Sequence, residues 1–193
     1  MKFSCELFPP DRFLISIRTP QTMPGTLHRL TAAIYAAGLD IVSGQVHTDQ
    51  EDGEPMTSDT FIVRKTRDDV NPAVDLALIM ESVLGHSTPV AEIFAQRGVL
   101  EVDPESFAGC EVAFQTEPEA TRMYLVTLDR HGLLYWLTGT LARHEINILN
   151  GHIDTRGAEV SDDFYLQYAG RALSEEKLQA LSRDLHARIK YIT

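Results

Sequence analysis

The stretch Asp129-Arg130-His131-Gly132-Leu133-Leu134 groups residue types that can do chemistry at one corner of the chain. It ends an apolar run, Met123 to Leu128, and opens a second run whose apolar residues Leu133, Leu134, Leu137 and Leu141 fall at helical spacing. A strand therefore turns into a helix across a short loop with one glycine. The first turn of a helix has N–H groups without intrahelical partners, and the helix dipole adds partial positive charge there. The corner is a small receptor for an anionic group such as a carboxylate. A plainer role is open to Asp129, as an acceptor for those same N–H groups.

Other constellations are thinner. His152 and Asp154 stand two apart on a strand and share a face, a spacing a metal ion can use, but no further residue completes a ligand set. No metal and no cofactor is expected. His144-Glu145 ends a helix, where an imidazole meets the dipole favourably. Trp136 reads as packing, in the core or between two halves of the chain. Cys5 and Cys110 are too far apart in sequence for a metal knuckle. They suit a reducing cytoplasm, and a disulfide between them stays open on paper.

Charge narrows the partners. Across 193 residues, 17 Lys and Arg face 28 Asp and Glu, a net charge of -11. Sequence-independent nucleic-acid binding needs basic residues to displace counterions, so no nucleic-acid partner is expected. An anionic membrane surface is disfavoured for the same reason. Met1 to Glu6 opens no apolar segment of signal-peptide length, and no run approaches ~18 apolar residues, so a cytoplasmic protein is expected. A hydrophobic share of 44% is that of a globular chain.

The elements around the corner repeat. Strands are expected at Phe13–Arg18, Leu39–Thr48 and Met56–Lys65, with a helix from Thr26 stopped by Gly38 and a second opened by Asn71-Pro72 and ended by Gly85. Asp49 to Pro55 reads as a polar turn. The second half reruns the order β-α-β-β-α. It has Met123–Leu128, Leu133–His144, a hairpin of Ile146–Thr155 and Val160–Tyr168 about Arg156-Gly157, and a helix capped by Ser174 with Leu178, Leu181, Leu185 and Ile189 inward. Sliding Gly25 onto Gly132 places Leu30 on Leu137, Leu39 on Ile146, Asp40 on Asn147, Gly44 on Gly151 and Val46 on Ile153. The third strands match as Asp59-Thr60-Phe61 and Asp162-Asp163-Phe164. Both second strands change apolar phase beside their glycine, which implies a bulge or a close backbone approach. The lead-ins Cys5-Glu6-Leu7 and Cys110-Glu111-Val112 also match, so each copy has room for an extra strand in front. Three units are expected: 1–86, a connecting segment 87–109 with a short helix after Thr88-Pro89, and 110–193.

On these residues the chain resembles a pair of ACT domains, in particular the tandem pairs of the uridylyltransferases that modify the PII nitrogen-signal protein. The resemblance runs from about Phe13 to the C-terminus. It rests on the duplicated order, the Asp129-to-Leu134 motif, Asp59-Thr60-Phe61-Ile62-Val63 and Asp163-Phe164. It implies an α+β fold of two ferredoxin-like (βαββαβ-type) domains, with antiparallel sheets and helices on one face. It also implies a regulatory protein that binds a small amino acid between paired domains, glutamine being favoured by the nitrogen-sensing relatives. Carried over by position, the ligand residues are Asp129, His131, Gly132, Leu133 and Asn147 in copy two, and Met23, Pro24, Gly25 and Asp40 in copy one. The N–H groups at Gly132 and Leu133 can take a carboxylate, and Asp129 with the Asn147 oxygen an ammonium. Two departures stand out: His131 replaces the motif's usual proline, and Thr19 to Gly25 keeps only Pro24-Gly25 of it. The chain leaves no room for nucleotidyl-transfer or metal-hydrolase domains, so sensing is expected and catalysis is not. Sheet edges point to a homodimer or a regulated partner. Two other functions fit the topology. An acylphosphatase-type hydrolase would use Arg130 and Asn147, but Asp129 beside the arginine repels phosphate. An RNA-recognition module would need basic and aromatic residues on its third strand, where this chain has Asp59, Asp162 and Asp163.

Overall fold

The computed structural model describes residues 1–20, 22–51 and 53–191. Gln21 of the loop before the first helix and Asp52 of the polar turn lie outside the described residues. Among the described residues nine strands form one sheet: β1 (Lys2–Phe8), β2 (Arg12–Thr19), β3 (Leu39–Glu51), β4 (Glu54–Lys65), β5 (Glu111–Thr116), β6 (Thr121–Leu128), β7 (Asn147–Arg156), β8 (Glu159–Gln167) and β9 (Arg188–Tyr191). Among the described residues five α-helices accompany them: α1 (Thr26–Ala36), α2 (Pro72–Met80), α3 (Val90–Arg97), α4 (Leu133–Arg143) and α5 (Glu175–Asp184). The sheet order is β1-β2-β4-β3-β7-β8-β6-β5-β9. Every neighbouring pair is antiparallel except β5 with β9.

Each copy is a ferredoxin-like unit, β2-α1-β3-β4-α2 and β6-α4-β7-β8-α5. Alternation in the strands sets the buried face. Ile15 and Ile17 on β2, and Phe61 and Val63 on β4, are buried, as are Met123, Leu125, Phe164 and Leu166 on β6 and β8. Helices cover this face, with Leu30 and Ile34 of α1 and Leu137 and Leu141 of α4 packed into one continuous core. The lead-in strands take the place beside each copy's first strand, β1 on β2 and β5 on β6. A short hairpin closes cheaply, so it claims that edge ahead of a strand arriving from further along the chain. The closing strand of copy two is displaced one position outward to β9, and among the described residues copy one has none. There, α2 runs on through a π-helical turn, Glu81–Gly85, toward α3.

Several boundaries differ from the sequence reading. Helix α5 ends at Asp184, so Ile189 belongs to β9 and not to the helical stripe; its side chain lies outside the described residues. Pairing of β3 with β4 continues through Asp49–Met56 to Glu51–Glu54, so the expected seven-residue turn is a tight hairpin with Gly53 at φ 83°. Cys5 and Cys110 are both free.

Both features implied by the phase change are present. The β3–β4 register slips between Ile41 and Ser43, and the β7–β8 register between Ile148 and Asn150. A Cβ on Gly44 would stand 2.6 Å from Phe61 Cδ1 and 2.8 Å from the Thr60 carbonyl, and one on Gly151 would stand 2.7 Å from Phe164 Cδ1. Each phenylalanine lies on its partner strand's glycine.

The copies meet at β3 and β7. The register pairs Gln45 with His152, the two positions the repeat makes equivalent, with Ser43–Asp154 and His47–Asn150 on either side. A pseudo-two-fold axis therefore passes through the seam. It continues through the helices, where the equivalent hydroxyls of Thr31 and Thr138 are hydrogen-bonded at 2.8 Å. The Gly44→Ala variant should lose about 1–3 kcal/mol through overpacking against Phe61 and backbone. For a domain of this size that is a Tm decrease of several degrees, read by differential scanning calorimetry.

Candidate functional site

Both strand-to-helix corners begin their helices without a cap. Gly25 (φ 90°) and Gly132 (φ 87°) hold the N-cap positions in the left-handed region, which glycine adopts without strain. Neither helix has a side-chain cap or an acidic residue in its first turn. The contrast is α5, where Ser174 Oγ accepts the Lys177 N–H and Glu175 and Glu176 follow. Asp129 is no cap. Its own N–H donates to the Ala158 carbonyl at 2.9 Å, and its carboxylate faces Arg64.

The seam decides what each corner faces. A first cleft, enclosing about 410 Å³ partly open to solvent, is lined by Asp129, Gly132 and Leu133 of copy two and by Asp40 and Tyr35 of copy one. A second, of about 350 Å³, is lined by Met23, Gly25 and Thr26 of copy one and by Asn147 and Ile148 of copy two. Most of that space is open solvent; the room enclosed is about 30 Å³ in the first and about 20 Å³ in the second, so a ligand enters either only by displacing a side chain at the mouth. Antiparallel pairing of β3 with β7 carries the start of each second strand under the other copy's corner. The ammonium pair expected from sequence, Asp129 with Asn147, is therefore not formed. Asp129 shares its cleft with Asp40, and Asn147 shares the other with Met23 and Gly25. His131 and Pro24 line neither cleft. His131 Nε2 lies 3.2 Å from the Leu39 carbonyl and its ring packs on Tyr35, clamping the corner to the other copy. Pro24 is exposed.

A guanidinium bridges the two carboxylates of the first cleft. Arg64 lies 2.6 Å from Asp40 Oδ2 through Nη2 and 2.9 Å through Nε, and 3.4 Å from Asp129 Oδ2. The hydrogen bond to Asp40 raises the Arg64 pKa. Burial, with Asp40 nearby, holds Asp129 above the ordinary carboxylate value, and Arg64 and His131 oppose that shift. Asp162 also lines this cleft. It is 2% exposed, accepts the Asp154 N–H at 3.2 Å, and is pushed up to about 7 by burial and by the charges of Asp154 and Asp129. Its repeat counterpart, Asp59, is 1% exposed and is also raised by burial to about 7, with the His47 backbone N–H opposing that shift. The connecting segment roofs the first corner. A Cβ at Gly132 would stand 2.6 Å from Val102 and 2.9 Å from Tyr35, whereas one at Gly25 would meet nothing nearer than Ala142 at 3.8 Å. The Tyr135 hydroxyl, at the same cleft, donates to Glu101 at 2.6 Å.

Sequence reading missed Tyr35, Tyr135 and Asp162, which line the first cleft, and Arg64, which bonds its two carboxylates. A signal existed for Asp162 in the matched aspartates of two otherwise apolar strand faces. Nothing marked Arg64, whose role depends on a carboxylate of the other copy. The residues an acylphosphatase would need are apart: Arg130 donates to the Ser106 carbonyl, and Asn147 is in the other cleft. His144 does more than meet a helix dipole, since it pairs with Asp184 of α5 at 2.9 Å. Trp136 stacks on Phe107 of the connecting segment at 4.7 Å.

Two ferredoxin-like units thus build paired clefts across a shared seam. The chain is similar to the bifunctional uridylyltransferase/uridylyl-removing enzyme of Bradyrhizobium diazoefficiens, 28% identical over 153 residues, which is 74% of this chain and 16% of that protein. The matched part is thus a small fraction of the relative's length. No family model matches the chain. The solved aspartate kinase from Synechocystis aligns over 91% of this chain and 26% of its own at 17% identity with a TM-score of 0.44, a likeness too slight to bear on fold or ligand. Among the described residues no helix is long and apolar enough to cross a membrane.

The buried aspartates make stability depend on pH. Their folded-state pKa of about 7 lies above the unfolded value of about 3.9. The native state keeps protons that the unfolded chain releases between about pH 4 and 7, so stability falls as pH rises through that window and then levels. Asp162→Asn should therefore stabilise the protein at pH 8 far more than at pH 4, by on the order of 1–4 kcal/mol at the plateau. Melting temperatures of variant and parent across pH 4–9 check this; a pH-independent difference would mean that Asp162 titrates as an exposed carboxyl does.

Proposed function

We propose that the chain is a ligand-sensing regulatory module that binds a free amino acid in the first cleft. The observation that supports this is a pair of carboxylates, Asp40 and Asp129, one from each copy, lining one cleft beside an uncapped helix start. The ligand's ammonium sits between the two carboxylates, where the Arg64 guanidinium now stands. Its carboxylate takes the first-turn N–H groups of α4 beyond Leu133, whose own N–H donates to the Arg130 carbonyl at 3.0 Å. Both ends then make charge-assisted hydrogen bonds. Arg64 is half exposed, so it leaves without opening the core. A ligand that touches both copies favours one seating of corner on strand, and the linked equilibrium is association with a second copy through the free edges of β1 and β9, or with a regulated protein. Glutamine is the first candidate, through the likeness to a uridylyltransferase. The regulatory units are 1–86 and 110–193, with 87–109 connecting them. The chain itself does no uridylyl transfer.

A thermal-shift screen of the twenty amino acids, followed by calorimetry on the hits, tests the reading. A saturating ligand raises Tm. Asp129→Asn and Asp40→Asn should each weaken binding by about tenfold or more, from loss of a charged hydrogen bond. Arg64→Gln should strengthen it, because the internal competitor is gone. A hit indifferent to both aspartate variants would place the ligand elsewhere and end the proposal.

A further inference from the structure

We propose that the second cleft is a site for a small carboxylate without an ammonium group, the class to which 2-oxo acids belong. The inference rests on the reading that clefts between corner and strand hold small ligands, and it gives the second cleft a ligand class of its own.

The repeat supplies an internal control. In the first cleft the ammonium place is made by Asp129, Asp40 and Arg64, the last two cross-strand partners on β3 and β4. The repeat puts Thr22, Asn147 and Gln167 at those positions, with Asn147 and Gln167 again cross-strand partners on β7 and β8. All three charges are replaced by neutral groups on one scaffold. Thr22 and Asn147 line the second cleft, and among the described residues no carboxylate does. An ammonium taken out of water there would meet no counter-charge, which is costly. Asp59, on the buried face of β4 with Thr57, does not line the cleft.

Donors, in contrast, are in surplus. The start of α1 is uncapped and has no acidic residue in its first turn. Thr26 is 6% exposed, lines the cleft, and its Oγ1 has no hydrogen-bond partner. His28 also lines the cleft; burial lowers its pKa and its ring hydrogen-bonds the Tyr135 backbone, which leaves the unpartnered Nδ1 an acceptor and not a donor. A buried hydroxyl and ring nitrogen left unpaired are unusual in a native interior. The helix start and the Thr26 hydroxyl come from one copy and the Asn147 amide from the other. Donors reaching the cleft from two directions suit a ligand with two adjacent acceptors, a carboxylate and the carbonyl next to it. Leu27, Val46, Ile146 and Ile148 supply apolar walls for a short aliphatic tail.

Calorimetry on the full chain with three pairs of probes tests this: pyruvate and alanine, 2-oxobutyrate and 2-aminobutyrate, 2-oxoisovalerate and valine, with inorganic phosphate as a separate anion. At least one 2-oxo acid should bind. Thr26→Val and Asn147→Asp should each weaken it tenfold or more, while Asp129→Asn leaves it unchanged. Far-UV circular dichroism verifies that the variants fold, and Asn147→Asp, away from the helix start, decides the matter if Thr26→Val does not fold. Binding of no 2-oxo acid, binding of phosphate alone, binding untouched by the folded cleft variants, or equal displacement by the parent amino acids would overturn the proposal. Each of these results is independent of whether the first cleft binds an amino acid, which is read with Asp129→Asn.

Discussion

The antiparallel ladder between β3 and β7 is the constraint on which the rest of the structure depends. It pairs Ser43 through His47 with Asp154 through Asn150 and joins two half-sheets into one. Each of these strands would otherwise present a row of unpaired N–H and C=O groups. Because the pairing is symmetric about Gln45 and His152, it also lays α1 beside α4 and seats each corner over the other copy's second strand. The His47 and Asn150 side chains, hydrogen-bonded at 2.7 Å, add a polar contact across the same line. Neither cleft exists within one copy.

The bulges serve this arrangement. A regular strand sends alternate side chains to opposite faces, so Leu39 and Val46, seven positions apart, could not both point into the core. The irregularity between Ile41 and Ser43 shifts the alternation by one, and both are buried there. Three residues beyond the start of the slip the register is regular again, and Val46 points into the core. Gly44 and Gly151 lie just past the bulges because an aromatic ring of the partner strand covers each backbone, leaving no space for a side chain.

Duplication produced a symmetric frame whose two clefts differ in charge. What both copies keep is structural: the left-handed glycine at the helix start, the glycine under the phenylalanine, the buried aspartate on the strand beneath. What they do not share is the polar set around each mouth, with Asp40, Arg64 and Asp129 on one side and Asn147, Gln167 and Thr22 on the other. The connecting segment adds to the difference. It covers the first corner with Val102 and pins Tyr135 through Glu101, leaving the second corner open. Frame and chemistry are separable here, since backbone geometry is carried by glycines and apolar alternation while ligand class is set by a few polar side chains.

Element order, the duplicate units and even the bulges were legible in the residues, because each depends on neighbours within about a dozen positions. Apolar period separates strand from helix, a glycine marks a backbone conformation, and a broken alternation marks a bulge. Asp129, Gly132 and Gly25 could be singled out on the same grounds. Their partners could not, since nothing local states that β3 lies against β7, or in which register. That choice grouped Asp40 with Asp129, sent Asn147 to the opposite cleft, brought Arg64 between two carboxylates, and displaced the final strand to the outside of the sheet. Contacts of that kind join residues far apart along the chain, and they are settled by which edges and faces can be buried at once, a property of the folded whole.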